Sequence, residues 1–224
     1  MQLEKPALVI FDMDGTTVRH VNPAMLSTLE FLDNTIQWFA NIFNRSGEVK
    51  DFSHDPVAPR GLLVHRALHK LRRKPVEQIV QPCPGIYDLL KFLKAQNIPM
   101  ALVSNGLGKG YGHDILKVFK LDTYFDVEIF REDIQKSKPH PDGLMRALRG
   151  VKPDFNEKDF VWHIGDRSKD VVATIAADEM TDCKVIPFAY GIHSALAVLK
   201  NNIGKDQIII SYPDFLNKIK KILS

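Results

Sequence analysis

The sequence predicts an α/β fold: a Rossmann-like three-layer core with a mostly parallel sheet, carrying an inserted all-α cap domain. Three observations predict it. Short apolar runs alternate with amphipathic stretches along most of the chain, and each run gives way to a polar or glycine-bearing loop. The rhythm is broken once, over residues 18–81, where helical periodicity replaces it and no convincing strand occurs. Alternation of this kind buries a parallel sheet between two helical layers, and such sheets bind ligands at the carboxyl ends of their strands.

The runs are Ala7 to Phe11, Met100 to Val103, Val127 to Phe130, Phe160 to Ile164, Lys184 to Phe188 and Gln207 to Ile210. The helices expected between and after them cover Gly85 to Gln96, Gly110 to Phe119, Pro141 to Arg149, Lys169 to Asp178, Ser194 to Lys200 and Pro213 to Leu223. In the interruption, Leu26, Leu29, Phe31, Leu32, Ile36, Trp38, Phe39 and Ile42 suggest one long helix, and Leu62, Leu63, Ala67, Leu68 and Leu71 a second. Pro82, Cys83, Pro84 and Gly85 mark its far edge, because proline opposes helix continuation and glycine permits a sharp turn. The expected division is a discontinuous core, 1–17 and 82–224, around a cap at 18–81.

Composition narrows the function classes. Thirty basic against 27 acidic side chains leave +3, too mild a charge to mark a nucleic-acid or membrane-surface protein. The one dense cluster is Arg60, Arg66, Lys70, Arg72, Arg73 and Lys74, whose six charges leave −3 for the rest of the chain. A solvated helix face is the favoured reading of it. Nucleic-acid binding is disfavoured, and Trp38, Phe39 and Phe43 read as cap core rather than as a base-stacking platform. Cys83 and Cys183 form no metal-binding spacing, and His65 and His69 lack a third ligand, so neither a disulfide framework nor a zinc site is expected. The apolar run after Glu4 and Lys5 is too short for a signal peptide or a spanning helix, which points to a cytoplasmic protein with no membrane partner.

Four loops carry chemistry. The first strand runs into Asp12-Met13-Asp14-Gly15-Thr16, where spacing of two sends both carboxylates toward one side and Gly15 lets the chain turn. The second ends in Ser104-Asn105-Gly106, a hydroxyl beside backbone amides and a reasonable phosphate-binding cradle for Ser104 and Asn105. After the third comes Lys136-Ser137-Lys138-Pro139-His140-Pro141, in which Pro139 restricts Lys138 and Pro141 suits a first helical position; Lys138 could neutralise a phosphoryl group. The fourth ends in Gly165-Asp166-Arg167-Ser168-Lys169-Asp170, and a helical first turn would put Asp166 and Asp170 on one face. Acids gathered on one sheet edge need a counter-charge, and oxygen-only ligands point to Mg²⁺.

In this order, each after a strand, the four elements resemble the haloacid dehalogenase superfamily, in its phosphatase branch with a helical (C1-type) cap, phosphoglycolate-phosphatase-like. The resemblance implies that Asp12 is the nucleophile and Asp14 the general acid/base. Ser104 and Lys138 would bind the transferring phosphoryl group. Asp12, the main-chain oxygen of Asp14, and Asp166 would hold Mg²⁺, supported by Asp170 directly or through water. Dehalogenases and phosphonate-cleaving relatives lack the second aspartate, so Asp14 favours phosphate esters. The chain departs from such relatives at Arg19 and His20, which stand where they place Asp and Ser; either could meet a polar part of the substrate at the cap hinge.

The expected function is a Mg²⁺-dependent phosphomonoesterase acting on a small phosphorylated metabolite through an aspartyl-phosphate intermediate, as a monomer or homodimer. Two alternatives stand beside it. A sugar-phosphate mutase would use the same chemistry, and a catalytically silent binding or regulatory protein would keep the fold and use the basic cap segment.

Overall fold

The computed structural model describes residues 4–21, 76–152 and 154–223. The two helices expected in the interruption, the basic cluster, the His65/His69 pair and the Trp38, Phe39 and Phe43 aromatics lie outside the described residues. Spatial clustering divides the chain into one unit of residues 1–19 and 81–224 and a second of 20–80.

The first unit is built on a six-stranded sheet, all of whose pairings are parallel. Its strands are β1 (Leu8–Asp12), β4 (Met100–Val103), β5 (Val127–Ile129), β6 (Phe160–Gly165), β7 (Lys184–Tyr190) and β8 (Ile208–Ile209). Two short strands, β2 (Val18–His20) and β3 (Val80–Pro82), pair separately. The sheet order is β5-β4-β1-β6-β7-β8. The chain thus starts in the middle, builds outward to β5, then returns to the other side of β1. That reversal makes the end of β1 the topological switch point, where open α/β sheets open a crevice.

Helices α1 (Ile86–Ala95), α2 (Lys109–Val118), α3 (Asp142–Val151), α4 (Ser168–Asp178), α5 (Ile192–Lys200) and α6 (Tyr212–Leu223) cover the sheet. Because crossovers between parallel strands are right-handed, reversing the winding direction sends later helices to the opposite face. Alternation along the strands then divides the core. Leu8 and Ile10 of β1 join Val161, Val185, Leu144, Ala147, Ala173 and Ala177 in a cluster beneath α3 and α4. The other face is aromatic: Phe11 meets Phe125 edge-on, and Trp162 and Phe188 pack on Phe215 of α6. Ala173 and Ala177, fully buried, let α4 approach the sheet closely.

Three local expectations change. No strand is expected in the interruption, yet β2 and β3 pair at its two edges, runs too short for a two-residue period to show. Pro141 is the residue before α3 rather than its first helical residue, since α3 begins at Asp142. Asp166 does not share a helix face with Asp170, because α4 begins only at Ser168 and Asp166 lies in the loop before it. A fixed proline φ is equally acceptable just outside a helix, and the Asp170 carboxylate accepts the Arg167 backbone N–H at 2.9 Å, which sets the helix start there.

Candidate active site

The register aligns the strand ends that carry the loops. Asp12 stands opposite Val103 of β4, and Phe11 opposite Ile164 of β6. The loop after β1 is closed tightly on itself: Thr17 Oγ1 donates to the Asp12 carbonyl at 2.8 Å, Gly15 N to Val18 O at 2.7 Å, and Val18 N to Met13 O at 3.0 Å. Gly15 has φ +85, and a Cβ built on it would lie 2.2 Å from Asp166 Oδ2. Glycine is thus needed for both the backbone conformation and the close approach of the fourth loop.

Three carboxylates converge there. One oxygen from each of Asp12, Asp166 and Asp170 lies within 4.8 Å of the other two. The Asp14 carboxylate is not one of the three; its side chain faces the second loop, with Oδ2 3.4 Å from where a Cβ on Gly106 would be. The Asp166 Oδ1 atom is buried and accepts no hydrogen bond among the described residues. An all-oxygen triad with an orphaned carboxylate oxygen suits a hard divalent cation.

Lys138 supplies the opposite charge. Its ammonium is buried and lies 2.5 Å from Asp12 Oδ1, 2.8 Å from Asp170 Oδ1 and 3.4 Å from the Val103 carbonyl. Both Asp170 oxygens are then engaged, Oδ1 by Lys138 and Oδ2 by the Arg167 N–H. The Lys138–Pro139 peptide is cis. Ser104 is buried at the end of β4, and its Oγ accepts the Leu107 N–H at 3.1 Å, so its own proton remains to be donated. Both amide atoms of Asn105 are buried with no protein partner among the described residues.

The electrostatics follow from this crowding. Burial lifts the Asp12 carboxyl to about 8, against the pull of Lys138 and with the push of Asp170 and Asp166. Burial and then Asp170 raise Asp166 to about 6. Asp170 is held low despite its burial, chiefly by Lys138, and Lys138 is raised by its two carboxylates despite its own burial. The site carries surplus negative charge that a proton or a metal ion must balance.

With the Gln81 carboxamide oxygen turned toward it, exposed Arg19 donates Nε and Nη2 at 3.1 and 3.2 Å. His20 is half-buried at the end of β2.

Sequence reasoning missed two polar side chains beneath the site. His163 in β6 and Thr174 in α4 are buried and bonded to each other, Nδ1 to Oγ1 at 2.6 Å. The available signal was a histidine inside an otherwise apolar run.

The geometry can be set beside known proteins. The haloacid dehalogenase-like hydrolase family profile matches residues 9–183, from the first strand to the end of the fourth-loop helix and beyond. The chain belongs to that family. Among relatives of this hydrolase, pyrophosphatase PpaX of Halalkalibacterium halodurans is 24% identical over 218 residues, covering 93% of this chain and 94% of the relative. Phosphoglycolate phosphatase 1 of Pseudomonas aeruginosa is 26% identical over 201 residues, covering 83% and 71%. Of solved structures, a HAD-superfamily hydrolase from Ehrlichia chaffeensis superimposes with TM-score 0.64 at 22% identity, over 99% of this chain and 100% of that one. A hydrolase from Pseudomonas syringae gives 0.61 at 19%, over 96% and 99%. These superpositions show the same fold. Among the described residues no helix is long and apolar enough to cross a membrane.

Proposed function

We propose that this hydrolase is a Mg²⁺-dependent phosphatase that cleaves a small phosphorylated metabolite through an aspartyl-phosphate on Asp12. One observation carries the reading: Asp12 is shared between a buried ammonium and a cluster of two further carboxylates. A carboxylate so held is poor at mere packing, because buried charge is costly unless it is used or fully balanced. The names of the phosphatase and pyrophosphatase relatives point the same way.

Asp12, Asp166 and the main-chain oxygen of Asp14 would hold the ion, with Asp170, whose oxygens are engaged by Lys138 and Arg167, supporting it through water. When bound, Mg²⁺ supplies positive charge to the triad and to the phosphoryl oxygens. Lys138 adds a second positive charge, and Ser104 Oγ–H donates to a phosphoryl oxygen. An Asp12 oxygen attacks phosphorus as the bond to the leaving alkoxide breaks, and Asp14 gives that alkoxide its proton. Asp14, now a carboxylate, takes a proton from water, whose oxygen attacks phosphorus and releases the Asp12 carboxylate and inorganic phosphate. Atoms and charge balance across both halves, and one residue serves as acid and then base.

Segment 18–81, read as a cap, is assigned the choice of leaving group, and Arg19 and His20 a part in it. Two buried free thiols fit a reducing compartment such as the cytoplasm.

The test is hydrolysis of a chromogenic phosphate ester, followed by a panel of phosphorylated sugars, acids and nucleotides. Release of free phosphate that needs Mg²⁺ and falls to background in Asp12→Asn supports the reading. An isomerised sugar phosphate without free phosphate would instead indicate the mutase, and inactivity on every ester with salt-sensitive RNA binding the silent protein.

A further inference from the structure

His163 has no part in the chemistry above, yet it lies in the middle of β6 and is 1% exposed, among Val161, Trp162 and Ile164. Its protonation pattern can be read from its neighbours. Thr174 Oγ1 donates its single proton to the Asp170 main-chain oxygen at 2.7 Å. The 2.6 Å contact to His163 must then use an imidazole Nδ1–H as donor, which leaves Nε2 as a bare lone pair. That Nε2 is buried and has no hydrogen-bond partner among the described residues. A leucine or methionine would occupy comparable space without stranding a nitrogen, and a stranded buried polar atom destabilises the fold. Packing alone gives no reason for a histidine here.

The bonds continue into the active site. Asp170 is wedged between the Gly165 backbone, where an added Cβ would lie 2.4 Å from Asp170 Cβ, and the ammonium of Lys138 at 2.8 Å. Lys138 in turn holds Asp12 at 2.5 Å. We propose that His163 is a positioning residue: by fixing Thr174 it locks the first turn of α4, so that the Asp170 carboxylate holds Lys138 against Asp12 and keeps the three acids at ion-binding separation. The inference rests on the reading of that triad as the Mg²⁺ site.

The experiment is calorimetric titration of the whole protein with Mg²⁺ alone, paired with thermal melts, for the native chain and four variants. His163→Leu and Thr174→Val remove the link, whereas His163→Asn and Thr174→Ser keep a donor and a hydroxyl at the corresponding places. The two disruptive variants should each weaken Mg²⁺ binding by about tenfold or more, as loss of a group behind a metal ligand does, while the two conservative ones stay within about threefold. Combining His163→Leu with Thr174→Val should add nothing beyond the larger single effect, because both break one chain of bonds. A drop in Tm with unchanged Mg²⁺ affinity would reduce His163 to a packing residue and overturn the proposal. Should His163→Leu fail to fold, the Thr174 pair decides in the same way. A native chain that binds no Mg²⁺ would remove the reading of the triad and this inference with it, whereas tight native binding unchanged in the disruptive variants sinks the inference alone.

Discussion

In the proposed mechanism Asp14 serves as acid and then base, and its carboxylate lies outside the triad, so it can be tested without removing a side-chain ligand of the ion. Asp14→Asn should lower kcat by about 10²–10⁴-fold while Mg²⁺ affinity changes little, read by steady-state kinetics beside a metal titration. Gly15 makes the opposite case. A Cβ there meets Asp166 Oδ2 at 2.2 Å, in a backbone conformation that side chains resist. Gly15→Ala should cost about 1–2 kcal/mol of stability and weaken Mg²⁺ binding, both measurable by denaturation with and without the ion. The motif spacing made Asp12, Asp14, Lys138 and Asp166 legible as candidates. It could not reveal that Lys138 joins Asp12 to Asp170, because that contact spans 126 residues and depends on strand order. Nor could it show that Gly15 serves a carboxylate from another loop.

At the scale of elements, the period of the apolar runs located every strand of the main sheet and each described helix to within about two residues, since a strand buried on both faces has little option but to be apolar throughout. Boundaries moved where local capping decided them, as at Asp166, which the Asp170–Arg167 bond leaves outside α4. The last helix has a role that pattern alone does not display. Tyr212 at the start of α6 is fully buried, and its hydroxyl donates to the Thr16 carbonyl at 2.9 Å, tying the C-terminal element to the loop that follows Asp12. It also stacks on Tyr190 at 4.4 Å. Tyr212→Phe keeps the ring and deletes the bond, and should lower stability by about 0.5–1.5 kcal/mol, or somewhat more because the buried carbonyl is left unpaired. Urea denaturation measures it. A stability equal to the native chain's would show that the hydroxyl does not brace the loop.

Over the whole molecule, the surplus acid at the switch point couples folding to pH and to metal. Asp12 has a folded pKa of about 8 against an ordinary carboxylate value in the unfolded chain, so the fold holds a proton that the unfolded chain releases. A raised folded pKa contributes stability that is complete at low pH and lost as pH rises through it. Without metal, that loss runs from about pH 4 to about 8 at up to about 1.4 kcal/mol per pH unit, and it should appear as a net loss between pH 6.5 and 8. His163 works in the other direction over the lower part of that window, where it offsets Asp12. Burial, then the nearby Lys138 charge, lower it to about 3, so its neutral form costs the fold stability only as pH drops from roughly 6.5 toward that value. Saturating Mg²⁺ should abolish the loss at higher pH, because the ion replaces the proton. Thermal melts at the two pH values, with Mg²⁺ and with chelator, measure both slopes.

The metal-dependent outcomes descend from one claim, that acids from the first and fourth loops grip the same ion. Titrating the native protein, Asp12→Asn and Asp166→Asn with Mg²⁺ by calorimetry tests it most directly. The account predicts one ion per native chain and a loss of at least about tenfold in affinity in each variant. Native-strength binding by either variant would contradict it.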